Sequence, residues 1–71
     1  MKLGKYRHFK GMMYEVLGIV KHSETLEDYV HYRALYDNEV SKEWIRPLKM
    51  FQEQVTMPDG EVANRFDRIS K

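Results

Sequence analysis

The chain contains no cysteine and no long apolar run, and each absence removes a class of protein. Without cysteine there are no disulfides, no thiolate zinc ligands and no cysteine nucleophile. Small secreted domains usually need disulfides, so we predict a reducing cytoplasm as the location. No stretch approaches the roughly 20 apolar residues of a membrane-spanning helix, and no signal peptide opens the chain, so we predict no membrane partner.

The chain is also short, at 71 residues. We predict one domain, residues 1–71, with a core inside about residues 5–57. A domain of this size buries roughly 60% of its unfolded surface, so little apolar material is left over from the core. Residues 58–71 are predicted to be either a last hairpin or a loose tail.

The net positive charge is small, and the excess of basic residues is concentrated at one end. The formal net charge is only +1, which is not the strongly basic balance of a general nucleic-acid binder. Residues 1–10 carry +4, residues 15–43 carry −4 and residues 44–71 carry +1. The basic segment at residues 1–10, interleaved with Tyr6 and Phe9, keeps nucleic acid open as a partner.

The first apolar segments predict a hairpin. Residues 12–20 are rich in valine and isoleucine and contain Gly18, which favours a strand over a helix. Residues 5–8 can pair back onto this strand across a turn at residues 9–11, where Gly11 supplies a permissive backbone.

Residues 22–36 allow two interpretations. One is a polar turn at residues 22–25 between strands at residues 13–21 and 28–35, because tyrosine, valine and histidine form a strand-like mixture. The other is a helix over residues 24–36 packed on a sheet, since its apolar residues recur at near-helical spacing. Ser23 has no glutamate or glutamine three residues later, which weakens the helix, so we adopt the hairpin.

The hairpin also predicts a strand register. A turn centred between Glu24 and Thr25 places Leu17 opposite Tyr32 and Ile19 opposite Val30. The same register gathers apolar residues on the second face: Val16, Val20 and Tyr29. Both faces are therefore partly apolar, and alternation does not identify the core face.

The C-terminal half predicts short elements separated by proline. A strand at residues 43–46 ends at Pro47, which suits the start of a helix, and one helical turn follows with Leu48 and Phe51 on one side. Residues 58–60, Pro-Asp-Gly, form a strong turn signal. We therefore predict a mainly β fold, a small SH3-like barrel of about five short strands with one helical turn after Pro47.

Six short motifs occur in a fixed order along the chain. They are Tyr-Arg-His-Phe-Lys-Gly at 6–11, Tyr-x-Val-Leu-Gly at 14–18, His-Ser-Glu-Thr at 22–25, Tyr-x-Ala-Leu-Tyr at 32–36, Trp-Ile-Arg-Pro-x-x-Met-Phe at 44–51 and Arg-Phe at 65–66. Together they resemble a bacterial family of short proteins known only as a domain of unknown function, over about residues 6–66. The resemblance implies an SH3-like β fold, a cytoplasmic bacterial protein and no established activity.

The sequence departs from that family at two places. The family usually has a glycine in the turn before the tryptophan strand, where this chain reads Asp-Asn-Glu-Val-Ser-Lys-Glu at residues 37–43. This departure predicts a longer or differently shaped loop. The family also often has a proline just before Arg65, where this chain has Asn64, so the C-terminal segment is expected to differ in conformation.

The polar residues 22–25 raise the question of catalysis or metal binding. A nucleophilic Ser23 would need a base oriented by a third group, but neighbours on an extended chain point in opposite directions. We therefore expect Ser23 and Thr25 to hydrogen-bond local turn backbone. His22 and Glu24 can share one face, yet no recognised spacing supplies a third zinc ligand. With single glycines and no phosphate loop, we predict no cofactor, no metal and no catalytic residue.

Aromatic side chains are plentiful for so short a chain, nine of 71 residues. The core needs most of them, but small barrels often keep one aromatic-lined groove for peptides or single strands. We predict a non-enzymatic module that binds a peptide or other anionic ligand, with a protein or peptide as the favoured partner. The candidate ligand-binding residues are the polar or amphipathic members of the motifs: Tyr6, His8, His22, Glu24, Tyr36, Trp44, Arg46 and Arg65. Tyr36 and Trp44 would stack, while Arg46 and Arg65 would pair with the anion.

Two alternative functions stay open. One is a small enzyme that uses His22 and Glu24 as acid and base or as metal ligands. The other is a single-stranded nucleic-acid binding module that uses the basic segment at residues 1–10. Charge-driven binding of this kind should weaken steeply as salt rises.

Overall fold

A computed structural model describes residues 1–69. Seven strands and one helical turn follow each other along the chain. They are β1 (Gly4–His8), β2 (Met13–Lys21), β3 (Asp28–Ala34), β4 (Glu43–Pro47), α1 (Leu48–Phe51), β5 (Gln54–Thr56), β6 (Val62–Asn64) and β7 (Phe66–Arg68). The fold is mainly β, as predicted. The predicted number of about five strands was too low, because the C-terminal region forms three short strands.

The strands form one antiparallel sheet and one separate hairpin. The sheet has five strands in the order β4-β3-β2-β1-β7, and β5 pairs only with β6. β4 and β7 are the sheet edges, and no pairing joins them within residues 1–69. The closed SH3-like barrel is therefore not confirmed and stays a prediction. No helix in this part of the chain is long and apolar enough to cross a membrane.

The hairpin predicted around residues 22–25 is confirmed. β2 and β3 pair antiparallel up to Lys21 opposite Asp28, so the alternative helix at residues 24–36 is wrong. In β3 the buried residues recur with a period of two, at Val30, Tyr32 and Ala34. This is the strand period rather than the helical one, because tertiary packing overrides the local helical spacing.

A bulge at Leu17 corrects the predicted register. Ile19 lies opposite Val30, as predicted, but Val16 rather than Leu17 lies opposite Tyr32. The register shifts between residues 16 and 18 because the extra residue, Leu17, has no partner on β3. Val16 therefore lies on the same face as Tyr32, and this face is the core.

The core is built mainly from aromatic rings on one face of a curled sheet. Its buried residues are Tyr6, Tyr14, Val16, Val30, Tyr32, Ala34, Phe51 and Phe66. Phe66 on β7 and Tyr32 on β3 have ring centroids 5.9 Å apart. Three strand spacings, about 14 Å in a flat sheet, separate these two strands, so the sheet curls and its concave face is the core. Phe66 is a core residue outside the predicted range 5–57.

α1 fills the concave face from the side of β4. Phe51 is buried and stacks on Phe66, with ring centroids 4.0 Å apart. Leu48 is half-buried and packs against the same core. The predicted helical turn after Pro47, with Leu48 and Phe51 on one side, is therefore confirmed.

The C-terminal hairpin contains Asn64, the position at which the family resemblance implied a proline. The turn before β6 contains Gly60 at φ +89°, and β5 pairs with β6 as far as Gln54 opposite Asn64. Arg65 N–H donates to Glu53 O at 2.9 Å, so alternation turns the Asn64 N–H away from β5. A proline there would remove no ladder bond. Ser70 and Lys71, the end of the predicted segment 58–71, lie outside the described residues.

The loop before β4 blocks part of that strand's free edge. Asn38 Oδ1 accepts the N–H of Val40 at 2.9 Å, which orders the loop without the glycine that the family resemblance implied. Ser41 Oγ donates to Glu43 O at 2.8 Å and accepts the Glu43 N–H at 3.2 Å. Pro47, at the other end of β4, has no N–H to offer. The edge therefore presents few groups to an added strand.

Candidate functional site

A buried histidine lies at the end of β1, under the rim of the concave face. His8 is only 9% exposed. Its ring packs against Phe9 and Phe66, with centroids 4.5 Å and 4.9 Å away. Its Nδ1 accepts the Lys10 backbone N–H at 3.2 Å. Nδ1 is therefore the unprotonated nitrogen of a neutral ring.

Positive side chains converge on this histidine. Burial and then the charges of Arg46, Arg65 and Lys10 lower the pKa of His8 below its usual value. The three cations come from β4, from the residue between β6 and β7, and from the turn after β1. We call His8, Arg46 and Arg65 the cation cluster. Its residues are far apart in the chain: the pairing of β1 with β7 brings Arg65 near His8, and the curl of the sheet brings Arg46 near them from β4.

Arg46 reaches the cluster from an edge strand. It lies opposite Val30, so its side chain is on the core face of the sheet. The guanidinium carbon is 5.7 Å from the Phe66 ring centroid, and Nε is 3.5 Å from Tyr32 Oη, at the limit of a hydrogen bond. Within residues 1–69 Arg46 forms no salt bridge. A guanidinium held by rings and lacking a carboxylate is suited to bind an anion.

Two hydrogen bonds hold the backbone of Arg65 in place. Its N–H donates to Glu53 O and its C=O accepts from Phe9 N–H, both at 2.9 Å. Its Nη2 is 3.4 Å from Glu53 Oε1, a loose ion pair. Its Nε is buried and has no hydrogen-bond partner in the described part of the chain. An unsatisfied buried donor costs about 1–3 kcal/mol, which an acceptor on a ligand would recover.

A pair of tyrosine hydroxyls borders the cluster. Tyr14 Oη and Tyr36 Oη are 2.8 Å apart. Burial, and then the hydrogen bond with Tyr36, raises the pKa of Tyr14, while Arg46 acts in the opposite direction. Tyr14 therefore stays protonated and remains a hydrogen-bond donor or acceptor beside Arg46.

The structure brings together only part of the predicted site. His8, Tyr36, Arg46 and Arg65 gather at the rim of the concave face. Half-buried Trp44 lies opposite Tyr32 and packs against the core.

The other predicted residues lie elsewhere. Tyr6 is a buried core residue whose hydroxyl donates to Lys2 O at 2.6 Å. His22 and Glu24 follow the far end of β2. Eight residues of strand, about 25 Å, separate His22 from Tyr14, which lies at the cluster end.

The polar turn at residues 22–25 has a structural role. His22 Nδ1 accepts the N–H groups of Glu24 at 3.2 Å and Thr25 at 3.3 Å. Thr25 Oγ1 accepts the Glu27 N–H at 3.2 Å, as predicted for this side chain. His22 takes the role predicted for Ser23. Within residues 1–69 no three His, Asp or Glu side chains are grouped closely enough to hold a metal ion.

The basic N-terminal segment is divided between the two faces of the sheet. Tyr6 and His8 point to the core, so Lys5 and Arg7 point to the convex face. There Lys5 lies opposite Glu15, and Arg7 lies opposite Asp67. These positive charges have acidic neighbours across the strands and do not form one surface with Tyr6.

Sequence reasoning missed the contributions of Tyr14, Phe66 and Lys10. The Tyr14 side chain lies on the core face, like that of Val16, and both residues precede the bulge at Leu17. No local sequence pattern predicts that bulge. Phe66 belongs to the Arg-Phe motif, so its motif membership was the available signal. Lys10 was counted only as part of the charged N-terminal segment.

These features define a small all-β domain, a curled antiparallel sheet with a cation cluster on its concave rim. A family described as "Protein of unknown function (DUF1653)" matches residues 4–68. The chain belongs to this family. This agrees with the expected membership of a family of unknown function, whereas the six motifs as marks of that family stay a prediction. A crystal structure of a DUF1653 protein from Bordetella bronchiseptica superposes with a TM-score of 0.91 at 33% identity, covering 97% of this chain and 87% of that one. No curated protein sequence matches the chain.

Proposed function

We propose that the domain is a non-enzymatic binding module that holds an anionic group, carried by a peptide or another ligand, at the cation cluster. The observation that carries this proposal is the position of the Arg46 guanidinium, whose carbon lies 5.7 Å from the Phe66 ring centroid, while the buried His8 ring lies 4.9 Å from the same ring. No carboxylate within residues 1–69 pairs with Arg46. The positive charges of Arg46 and Arg65 lower the pKa of His8, and a bound anion would offset them.

The donors around the cluster are suited to oxyanions. A guanidinium presents a planar fork of N–H groups that matches carboxylate or phosphate oxygens. Arg65 Nε is a buried donor with no partner among the described residues. The Tyr14–Tyr36 hydroxyl pair can turn one O–H toward the same anion. A bound anion would also favour protonated His8, so binding should take up a proton.

The shape of the sheet supports a peptide as the carrier. The proposal includes an SH3-like arrangement, in which a curled sheet presents aromatic side chains to an extended peptide. Because the edge of β4 is blocked at Glu43 and Pro47, recognition would rest on side chains rather than on strand addition. A cytoplasmic bacterial protein remains part of the proposal and rests on the sequence alone.

The alternative functions have less support. In an enzyme or metal site, His22 and Glu24 would need further groups, but His22 Nδ1 already accepts the Glu24 N–H in a turn far from the cluster. For single-stranded nucleic acid, Lys5 and Arg7 lie on the convex face with carboxylates opposite. We therefore favour the anion-binding module.

Arginine substitutions test the proposal. The probes are inorganic phosphate and N-acetyl-aspartate amide, titrated at low salt and followed by the NMR signals of His8 and the arginine Nε–H groups. We expect Arg46→Gln and Arg65→Gln each to weaken binding about tenfold or more, because a hydrogen bond to a charged group contributes about 1.5–3 kcal/mol. Added salt should weaken binding in the wild type.

Arg33→Gln is the matched control. Arg33 is exposed, lies opposite Glu15 on the convex face and is absent from the cluster. Its substitution should leave binding of both probes almost unchanged. If neither probe shifts the cluster signals at low salt, or if Arg33→Gln weakens binding as much as Arg46→Gln, the proposal is wrong.

A further inference from the structure

A cavity opens beside the aromatic core, and no charged side chain of residues 1–69 lines it. Its volume is about 280 Å³, and it is lined by Met1, Tyr6, Phe51, Gln52, Asn64 and Phe66. Three of these residues are aromatic, one is a thioether and two carry carboxamides. This volume lies just below the usual range of small-molecule pockets, about 300–1,000 Å³, so the cavity is suited to one ring rather than to a large ligand.

The walls favour an aromatic ring as the occupant. Phe51 and Phe66 stack in parallel at 4.0 Å, and Tyr6 meets Phe51 edge-on at 5.5 Å. A further ring can extend this arrangement by stacking or by edge-to-face contact, which is worth about 0.5–1.5 kcal/mol beyond its buried area. Met1 is 44% exposed and has a flexible side chain that can adapt to a guest.

The two carboxamides that line the cavity differ in whether they already form hydrogen bonds within the protein. Asn64 is engaged on both sides, since its Nδ2 donates to Asp67 Oδ1 at 2.8 Å and its Oδ1 accepts from Gln54 Nε2 at 3.4 Å. Gln52 is exposed, and its side-chain amide has no hydrogen-bond partner within residues 1–69. One free carboxamide beside a ring-sized cavity can exchange two hydrogen bonds with a peptide unit.

The absence of charge along the walls favours a peptide side chain over a nucleobase. Each base of a single strand arrives with a phosphate, so base-stacking sites lie in positively charged grooves. None of the side chains that line this cavity is charged. The nearby basic residues of β1, Lys5 and Arg7, point to the opposite face of the sheet.

Phe66 connects the cavity to the cation cluster. Its ring lines the cavity and also lies 5.7 Å from the Arg46 guanidinium carbon and 4.9 Å from the His8 ring. We infer that the cavity holds an aromatic side chain of the same peptide whose acidic group binds the cation cluster. This inference rests on the proposed function and names its ligand as a short segment containing an aromatic and an acidic residue.

Three capped probes separate the two sites. N-acetyl-phenylalanine amide supplies the ring alone and N-acetyl-aspartate amide the anion alone. A capped tripeptide with phenylalanine and aspartate separated by glycine supplies both. We expect the first to shift the ring signals of Tyr6, Phe51 and Phe66, and the second to shift those of His8 and Arg46. The tripeptide should bind about tenfold more tightly than either, because the second contact becomes intramolecular.

A substitution that fills the cavity with a side chain tests the inference. Asn64→Tyr places a ring at the cavity wall on a strand position that tolerates tyrosine, and it should weaken binding of the phenylalanine probe about tenfold or more. It should leave the aspartate probe unaffected. Thr56→Tyr is the control, since it adds the same exposed ring on β5, outside the cavity. Circular dichroism of both variants checks that the fold is retained.

The outcomes distinguish this inference from the proposed function. If the aspartate probe binds and the phenylalanine probe does not shift the cavity signals, the cavity inference is wrong and the anion site stands. If the phenylalanine probe binds and the aspartate probe does not, the anion site is wrong and with it the shared peptide. A tripeptide no tighter than the single probes also overturns the inference.

Discussion

His8 is a titratable residue in surroundings that disfavour its protonated form. Its ring is buried between aromatic neighbours, and Arg46, Arg65 and Lys10 lie around it. Burial first, and these three charges next, hold its pKa below the ordinary value. The positive side chains on which the proposed anion site depends therefore also make the stability of the ligand-free protein sensitive to acid.

The first prediction concerns pH. An unfolded histidine takes up a proton near pH ~6.5, whereas folded His8 does so only at lower pH. Between those values the unfolded state binds more protons, so the free energy of unfolding should decrease as pH falls through about 6.5 and level off below the folded pKa. Urea denaturation at a series of pH values from 8 to 5 measures this change in the free energy of unfolding.

His8→Gln is the matching variant. It removes the titrating group, so the fall in stability near pH ~6.5 should be smaller than in the wild type, whatever the stability of the variant at pH 8. Carboxylates take up protons in both proteins at lower pH, so their contribution cancels in the comparison. The same pH slope in both proteins would show that His8 titrates normally.

At the scale of elements, the β2–β3 turn combines well-bonded and strained residues. His22 Nδ1 and Thr25 Oγ1 accept three turn N–H groups. Leu26 N–H donates to His22 O at 2.9 Å, which holds Leu26 at φ +61°. Leucine rarely adopts this left-handed conformation, and the side chain is 65% exposed, so it gains little packing in return.

The second prediction relieves that strain. Leu26→Gly should raise the free energy of unfolding by about 0.5–1 kcal/mol, because left-handed backbone costs a leucine about 1–2 kcal/mol and glycine's greater unfolded freedom offsets part of the gain. Leu26→Ala keeps the strain and should change stability by less than about 0.5 kcal/mol. Thermal denaturation compares the three proteins, and equal stability of the two variants would contradict the strain.

At the scale of the whole molecule, one edge strand closes the core. β7 has only three residues, yet its Phe66 touches Phe51, Tyr32, Tyr14 and His8 with ring centroids 4.0–5.9 Å apart. These partners come from α1, β3, β2 and β1. Phe66 therefore joins both halves of the chain and holds the sheet in its curled shape.

The third prediction tests this closure. Phe66→Ala should lower the free energy of unfolding by about 3–5 kcal/mol, and Phe66→Leu, which keeps most of the volume, by less than about 1.5 kcal/mol. Chemical denaturation gives the stabilities, and amide hydrogen exchange in β1 shows whether β7 has separated. A small effect of Phe66→Ala, with β1 still protected, would mean that the curl does not depend on this ring.

Features that depend on residues close together in the chain were predicted, whereas features that depend on long-range contacts were not. Strands β1 to β4, the turns at residues 9–11, 22–25 and 58–60, and the helical turn after Pro47 were predicted from the sequence. Each depends on residues within a few positions, such as β-branched runs or a proline with fixed φ. Membership of a family of unknown function was also expected from the sequence.

Tertiary structure decided the core face, the site and the last strand. The bulge at Leu17 shifts the register by one residue, and such a shift exchanges the faces of a strand whose two sides are both partly apolar. β7 pairs with β1 from the opposite end of the chain, a contact that no local pattern specifies. That pairing brings Arg65 near His8. Arg46 on β4 reaches them through the curl of the sheet, and long-range packing on Phe51 and Phe66 sets this curl.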